Sequence, residues 1–255
     1  EDLDMGSMFH EILRGFCVRL EEQYSWESVT EEQQEQLLRE AMEEAVLSMP
    51  NESLTESARS AYVLERIYRI MRKSVWALTQ QIRRGDFRPE GYEVEFSQVS
   101  RLTPESMMRT VGRVDRVDTY ENENQVYVKV IDYKSGHTKF QLLQLYYGRQ
   151  LQLVVYLNAA MEKVKQEHPG KEVLPAGIFY YHLDDPMVET EEALSEQEIL
   201  TEVLKQLRLN GLVSLEPEAY THMDRELPEK RTSDVIPISL NQDLSVSRRG
   251  AQTAS

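Results

Sequence analysis

The chain has 255 residues, of which 40% are hydrophobic and 29% charged, and its formal net charge at pH 7 is −15. This length can bury a substantial core, either as one large domain or as a domain with a smaller lobe. The negative charge argues against a general nucleic-acid binder, whose domain would normally be basic, and the apolar runs are far too short for a membrane span. The single cysteine, Cys17, excludes an internal disulfide framework and suits a reducing cytoplasm.

Helices are predicted to dominate the first third of the chain. Hydrophobic periodicity and capping residues place them at about 4–22, 30–48 and 55–84, and the second opens with the capping pattern Thr-Glu-Glu-Gln from Thr30. Basic residues recur at helical spacing on the third helix, at Arg66, Arg69, Arg72 and Lys73. A solvated helix face accounts for such a stripe in most proteins.

Strands are predicted next, from β-branched and aromatic enrichment, at about 92–99, 108–119 and 126–134. A helix at about 143–166 then leads to a strand at about 176–182. This strand, helix, strand connection favours a mixed sheet that contains a parallel pair.

The remainder is predicted to hold a helix at about 196–209 and one short strand candidate, at 235–240. The sequence therefore predicts an α/β protein divided into an N-terminal helical lobe (1–86), a core with a mixed sheet flanked by helices (87–230) and a polar tail (231–255).

Charged residues lie at the end of the hairpin formed by the second and third predicted strands. A turn centred between Glu123 and Asn124 pairs Asp115 directly with Asp132. Two carboxylates so placed could share a divalent cation, since such ions bind carboxylate oxygens. Without a cation or another partner, burying the two charges would cost several kcal/mol. The alternative is a structural ion pair with Lys134 at a sheet edge, and a register slip of one residue would move Asp115 to the other face.

The Asp, strand, Asp-x-Lys arrangement resembles the PD-(D/E)xK nuclease core. A narrower resemblance links the chain to the C-terminal nuclease domain of the AddB family, which belongs to bacterial ATP-dependent helicase/nucleases. It rests on GRVDRVD (112–118), VIDYKSG (130–136), YYG (146–148), QLVVY (152–156) and PAGIFYYH (175–182) through Asp185-Pro186-Met187. The resemblance covers nearly the whole chain and implies a restriction-endonuclease-like fold.

The resemblance also implies a catalytic site. Asp115 and Asp132 would hold Mg²⁺ or Mn²⁺ with the backbone carbonyl of Tyr133, and Lys134 would orient or deprotonate the attacking water. His10, within GSMFHEIL on the first helix, would be an accessory metal ligand. Without the resemblance, such a histidine would more often be packed or solvent-facing.

Further site candidates flank these residues. Phe87-Arg88-Pro89 followed by Glu93 resembles the motif that opens the family's core sheet, whose acid lies at the edge of the site, and Glu95 competes for that role. Gln152 and Tyr156 share one helix face at i, i+4 spacing, where they would contact the DNA backbone or the metal-bound phosphate. The alternative is that Tyr156 packs and Gln152 is merely exposed.

The basic stripe gains a second interpretation from the resemblance. We hypothesise that Arg69, Arg72 and Lys73 border a DNA channel, and Arg113 is a further DNA-binding candidate. The family also carries a 4Fe–4S cluster held by four cysteines, and one cysteine cannot supply four ligands. The cluster is therefore expected only in the full-length protein, and Cys17 is expected to be a small buried residue.

The chain is interpreted as a fragment, since it begins at Glu1 rather than Met and ends in a polar run. The helicase-like parts are expected to be missing from it, because the sequence has no GxxxxGK[ST] phosphate loop. The favoured function is a metal-dependent DNA exonuclease module of a bacterial, cytoplasmic helicase-nuclease that processes double-strand breaks for recombinational repair. The resemblance implies AddA as heterodimer partner, a single strand fed by the helicase, and cutting of the 5′-ended strand. The alternative is a nuclease-fold scaffold that binds DNA or a partner protein with little cutting, against which the intact Asp115, Asp132 and Lys134 argue.

Overall fold

The computed structural model describes residues 5–48, 58–103, 106–136, 141, 151–188, 194–247 and 253–254, without the side chains of 58–60, 98–103, 106–110 and 253–254. Two compact units divide the chain. The helical unit comprises Glu1–Arg83, Lys134–Thr138 and His182–Arg208, and the sheet unit comprises Arg84–Tyr133, Lys139–Tyr181 and Leu209–Ser255.

Three helices are followed by three strands, and helices separate the later strands. In chain order they are α1 (Met5–Gln23), α2 (Glu31–Leu47), α3 (Ala58–Arg84), β1 (Arg88–Thr103), β2 (Ser106–Glu121), β3 (Gln125–Lys134), α4 (Gln152–Glu167), β4 (Glu172–His182), α5 (Glu196–Gln206), β5 (Asn210–Ser214), α6 (Pro217–Met223), the single turn α7 (Leu227–Lys230) and β6 (Thr253–Ala254).

The helical unit confirms the predicted N-terminal helices. Thr30 caps α2, since its side chain accepts a hydrogen bond from Gln33 N–H at 3.2 Å while Gln33 Oε1 accepts one from Thr30 N–H at 2.9 Å. Helix α1 buries an apolar stripe at three- and four-residue spacing, formed by Phe9, Ile12, Leu13, Phe16 and Leu20. A Cβ added to Gly15 would lie 3.4 Å from that of Ala41, so α1 and α2 pack closely at this point.

The sheet unit is built on a mixed sheet whose described strands follow the order β1-β2-β3-β4-β5-β6. Neighbouring strands are antiparallel from β1 to β3 and between β4 and β5. Glu172 N–H donates to the Asn124 carbonyl and Leu183 N–H to the Lys134 carbonyl, each at 3.0 Å. Both partners advance together along the chain, so β3 and β4 are parallel, as the strand, helix, strand connection predicted.

The hairpin register agrees with the prediction. Strand β2 pairs with β3 from Glu121 opposite Val126 to Arg116 opposite Ile131, which is the register of a turn centred between Glu123 and Asn124. Helix α4 packs against one face of this hairpin. The core cluster there includes Val117, Val126, Val128, Val130, Leu153, Tyr156, Ala160 and Val164.

Several predicted boundaries were wrong. The first strand begins at Arg88 rather than near residue 92, and β4 begins at Glu172 rather than near residue 176. The helix predicted at 196–209 ends at Gln206, and β5 follows at 210–214, where no strand was predicted. The predicted helix at 143–166 is observed from Gln152, and 143–150 lie outside the described residues.

The C-terminal segment also differs from expectation. Residues 235–240 form no regular strand, since the neighbouring pairings are the isolated bridges Thr232–Ser239 and Leu240–Val246. Within the predicted tail, Ile236 and Ile238 are buried, at 1% and 2% exposure. Within the described residues, no helix is both long and apolar enough to cross a membrane.

Candidate metal centre of the sheet unit

Two acidic side chains meet where β1 and β2 pair. Glu93 lies between the paired residues Tyr92–Arg116 and Val94–Val114, which places it opposite Asp115. Its backbone is in the left-handed region, with φ of 50°, an uncommon conformation for a residue with a side chain. A carboxylate oxygen of Glu93 and one of Asp115 lie within 4.8 Å of each other.

Asp115 also reaches across to β3. Its Oδ2 accepts a hydrogen bond from Tyr133 N–H at 2.6 Å, just beyond the last paired residues of the ladder, Arg116 and Ile131. This bond ties Asp115 to the residue that follows Asp132. Asp115 and Asp132 are only 6% and 5% exposed, so two buried carboxylates occur at adjoining positions of neighbouring strands.

The acid donors fit a hard divalent cation. Mg²⁺ and Mn²⁺ take carboxylate oxygens, and buried carboxylates are stabilised by a metal or another cation. Glu93, Asp115 and Asp132 come from three adjacent strands, so the sheet fixes the positions of their backbones.

Arg113 contacts Glu93 rather than its direct partner across the strands. In register it lies opposite Glu95, yet its Nε lies 2.5 Å from Glu93 Oε2. The Arg113 side chain is 59% exposed and that of Glu93 13%, and Glu95 is exposed. The structure thus brings Glu93, not Glu95, to Asp115.

Gln152 and Tyr156 share a face of α4, as their spacing predicted. The Gln152 side-chain amide donates a hydrogen bond to the Tyr156 hydroxyl. The Tyr156 ring packs edge-on against Phe96, with centroids 5.5 Å apart, and is 9% exposed, whereas Gln152 is exposed. This geometry agrees with the packing alternative for Tyr156.

A buried charge network was missed by the sequence analysis. Arg116 donates to both carboxylate oxygens of Asp118, at 2.8 and 3.0 Å, and Lys129 Nζ lies 3.4 Å from Asp118 Oδ2. Lys129 also lies 5.0 Å from the centre of the Phe87 ring. Burial lowers the pKa of Lys129 to about 8. An Arg-x-Asp pair inside an apolar strand was the available signal.

The remaining candidates belong to the helical unit or close the hairpin. His10 is half-buried on α1, and Lys134 is half-buried at the end of β3. Arg69 and Lys73 both contact Asp185, and Arg72 is exposed. The Tyr146-Tyr147-Gly148 motif lies outside the described residues.

The donor set does not fit an iron-sulfur cluster. Cys17 is the single cysteine of the sequence and is buried on α1, as expected. One thiolate cannot replace the four that such a cluster takes.

The sequence matches the PD-(D/E)XK nuclease superfamily over residues 1–234. The chain therefore belongs to this superfamily of nuclease enzymes, and its mixed α/β architecture is of the restriction-endonuclease type.

The curated relatives confirm the resemblance to the AddB family. Three of them are named as the B-type subunits of ATP-dependent helicase/deoxyribonucleases. The protein from Lachnoclostridium phytofermentans is 41% identical over 97% of this chain and 21% of its own length. Those from Alkaliphilus oremlandii and Clostridium acetobutylicum are 35% and 33% identical over 96% and 98% of this chain, each over 22% of its own length. The chain thus spans about a fifth of the length of these relatives.

Proposed function

We propose that this chain hydrolyses DNA phosphodiester bonds with a bound Mg²⁺ or Mn²⁺. The observation that carries the proposal is the pair of buried carboxylates, Asp115 and Asp132, at adjoining positions of β2 and β3 in a PD-(D/E)XK fold. A carboxylate oxygen of Glu93, on β1, lies within 4.8 Å of one of Asp115. Structural ion pairs seldom gather several carboxylates at one end of a hairpin, because like charges repel at short range.

Each residue has a distinct role in the proposal. Asp115, Asp132 and the Tyr133 carbonyl would hold the cation, with Glu93 and His10 as accessory ligands. When bound, the cation neutralises charge on the phosphate and lowers the pKa of a water molecule. Lys134 would orient that water and stabilise charge developing on the phosphate oxygens.

Two exposed groups would position the substrate. The Gln152 amide would contact the DNA backbone, and Arg113 would pair with a phosphate near Glu93. Tyr156 would hold Gln152 in place through the hydrogen bond between their side chains.

The names of the relatives suggest the role of the whole protein. The chain would act as the exonuclease module of a bacterial helicase-nuclease that processes double-strand breaks for recombinational repair. Its helicase partner, AddA in the family's terms, would supply a single strand, and the 5′-ended strand would be the one cut.

The decisive test is Asp132→Asn in the full-length protein within its complex. We expect a loss of at least about 100-fold in Mg²⁺-dependent degradation of the strand that this protein cuts, because the neutral amide removes a metal ligand. Substrates labelled at either 5′ or 3′ ends report which strand survives. Glu95→Gln is the matched control, since Glu95 is exposed on the same sheet and should leave cutting unchanged.

Mn²⁺ binding measured by calorimetry on the same proteins separates a lost ligand from a misfolded site. Asp132→Asn, Glu93→Gln and His10→Ala should each weaken binding, and Glu95→Gln should not. Normal degradation of both strands by Asp132→Asn would contradict the nuclease assignment.

A further inference from the structure

One face of α3 carries an exposed tyrosine above a row of cations. Tyr62, Arg66, Arg69 and Lys73 follow one another at four-, three- and four-residue spacing, which aligns them along one side of a helix. Tyr62 is 65% exposed and the Arg69 side chain 55%. We call these four residues the α3 stripe.

Asp185 binds two members of the stripe at once. Arg69 Nε lies 2.5 Å from its Oδ2, and Lys73 Nζ lies 2.5 Å from its Oδ1. Lys73 also donates to the Pro186 carbonyl at 2.8 Å. Burial alone would raise the pKa of Asp185, but the hydrogen bonds from Lys73 and Arg69 outweigh it and lower the pKa. The carboxylate is therefore held in its charged form.

The contact has the chemistry of a phosphate site. A carboxylate and a backbone phosphodiester each present one negative charge shared between two oxygens, and arginine and lysine bind both groups. Two cations converge here on a single anion. The Arg69 side chain is 55% exposed, so solvent and salt weaken its bond to Asp185. A phosphate delivered at high local concentration can then replace Asp185.

Tyr62 identifies the class of ligand. Among the exposed large hydrophobic side chains of the described residues, Tyr62 is the one aromatic ring. Proteins that bind single strands combine a cationic track with aromatic side chains on which bases stack. A binding surface for an acidic peptide would have no need of such a ring.

We propose that the α3 stripe binds single-stranded nucleic acid and that Asp185 occupies the position of one backbone phosphate. This inference rests on the proposed nuclease function and names the route by which the strand crosses the helical unit. Displacement of Asp185 then accompanies binding, and the Asp185 segment tunes the affinity of the stripe.

The test measures binding without cutting. Fluorescence anisotropy of a labelled thymidine oligonucleotide is recorded with the full-length protein in the presence of a chelator. We expect Asp185→Asn to tighten binding about 3- to 10-fold, because the strand no longer competes with a fixed carboxylate. The matched control is Glu202→Gln, which removes one negative charge paired with Lys205 at 2.8 Å in the same unit and should change affinity less than about 2-fold.

Three further variants locate the effect. In the Asp185→Asn background, Arg69→Gln with Lys73→Gln should cancel the tightening and reduce the salt slope by about one or two. Tyr62→Ala should weaken binding at least about 5-fold, since stacking on a base is lost.

A structural role of Asp185, or an acidic protein as the ligand, would give different results. Equal effects of Asp185→Asn and Glu202→Gln overturn it, and so does weaker binding by Asp185→Asn, which would make Asp185 a structural anchor of its segment. Tighter binding of polyglutamate but not of the oligonucleotide would assign the stripe to an acidic protein instead. Because no cutting is measured, failure of the Asp132→Asn test leaves this result unaffected.

Discussion

At the scale of single residues, the most unusual feature is the buried network of Arg116, Asp118 and Lys129. Two cations share one carboxylate, and all three side chains are nearly inaccessible, at 1%, 0% and 6% exposure. Arg116 directly follows Asp115 in β2, so the network fixes the strand beside the acid group. Such networks are costly to break, because removing one partner leaves a charge buried without compensation.

Lys129 gives the network a pH signature. Its pKa is lowered from 10.5 to about 8 by burial, against the favourable charge of Asp118 and with the repulsion of Arg116 and Arg88. Between these two pKa values Lys129 is protonated in the unfolded chain and largely deprotonated in the folded one. Its contribution to the free energy of unfolding therefore becomes more favourable to the folded state as pH rises from about 8 to 10.5.

We predict that Lys129→Met removes this dependence while leaving the Arg116–Asp118 pair in place. Denaturant unfolding of both proteins should be measured between about pH 8 and 10.5. Over this range the free energy of unfolding of the wild type should rise relative to that of the variant by up to about 3 kcal/mol. A constant difference between the two proteins would mean that Lys129 titrates normally. Lys163→Met, on the exposed end of α4, is the control and should show no such trend.

At the scale of elements, the segment from Thr232 to Leu240 is irregular but largely buried, where the sequence predicted a short strand. Ser233 organises it, since its Oγ accepts hydrogen bonds from the amides of Val235 and Ile236, each at 3.1 Å, and donates to Asp224 at 2.6 Å. The buried backbone amides are thus hydrogen-bonded without pairing to a neighbouring strand. The apolar side chains of the segment can therefore pack inside the sheet unit.

Ile236→Ala should therefore destabilise the protein by about 2–4 kcal/mol, because it leaves a cavity at a position that is 1% exposed. Leu244→Ala, eight residues later and 47% exposed, should cost less than about 0.5 kcal/mol. Unfolding in urea measures both. Similar small losses in the two variants would show that the segment contributes little to the core.

At the scale of the whole molecule, the dominant property is the net charge of −15. Self-repulsion of this size opposes compactness and makes counter-ions favourable. Local ion pairs offset part of it, as where Arg84 lies 2.7 Å from Glu226 and 3.4 Å from Asp234.

We expect the melting temperature to rise by roughly a few degrees when NaCl increases from 10 to 150 mM, because screening weakens the repulsion of the excess acids. Scanning calorimetry in a buffer of low ionic strength measures the shift. A fall in melting temperature would indicate that attractive surface pairs outweigh the net repulsion.

Local patterns predicted much of the fold. Helix limits followed from caps and apolar spacing, as at Thr30, since both depend on residues close in sequence. The β2–β3 register followed from a short turn and the alternation of faces. These determine which residues pair, and so the sequence brought Asp115 and the residues around Asp132 to the same end of the hairpin.

The tertiary structure decided what depends on distant contacts. The choice of Glu93 over Glu95 rests on a left-handed residue and the pairing of β1 with β2, which no local pattern of alternation reveals. The burial of Ile236 likewise depends on elements far away in sequence.

The sequence by itself determined the superfamily, the helical start and the acid-bearing hairpin, because these are encoded in short motifs and in spacings between residues close in sequence. Only the tertiary structure decided that Asp185 bonds to Arg69 and Lys73, which are more than a hundred residues away in sequence. Charge attraction between such positions requires that folding has already brought them within a few ångströms, since solvent and salt screen it at longer range.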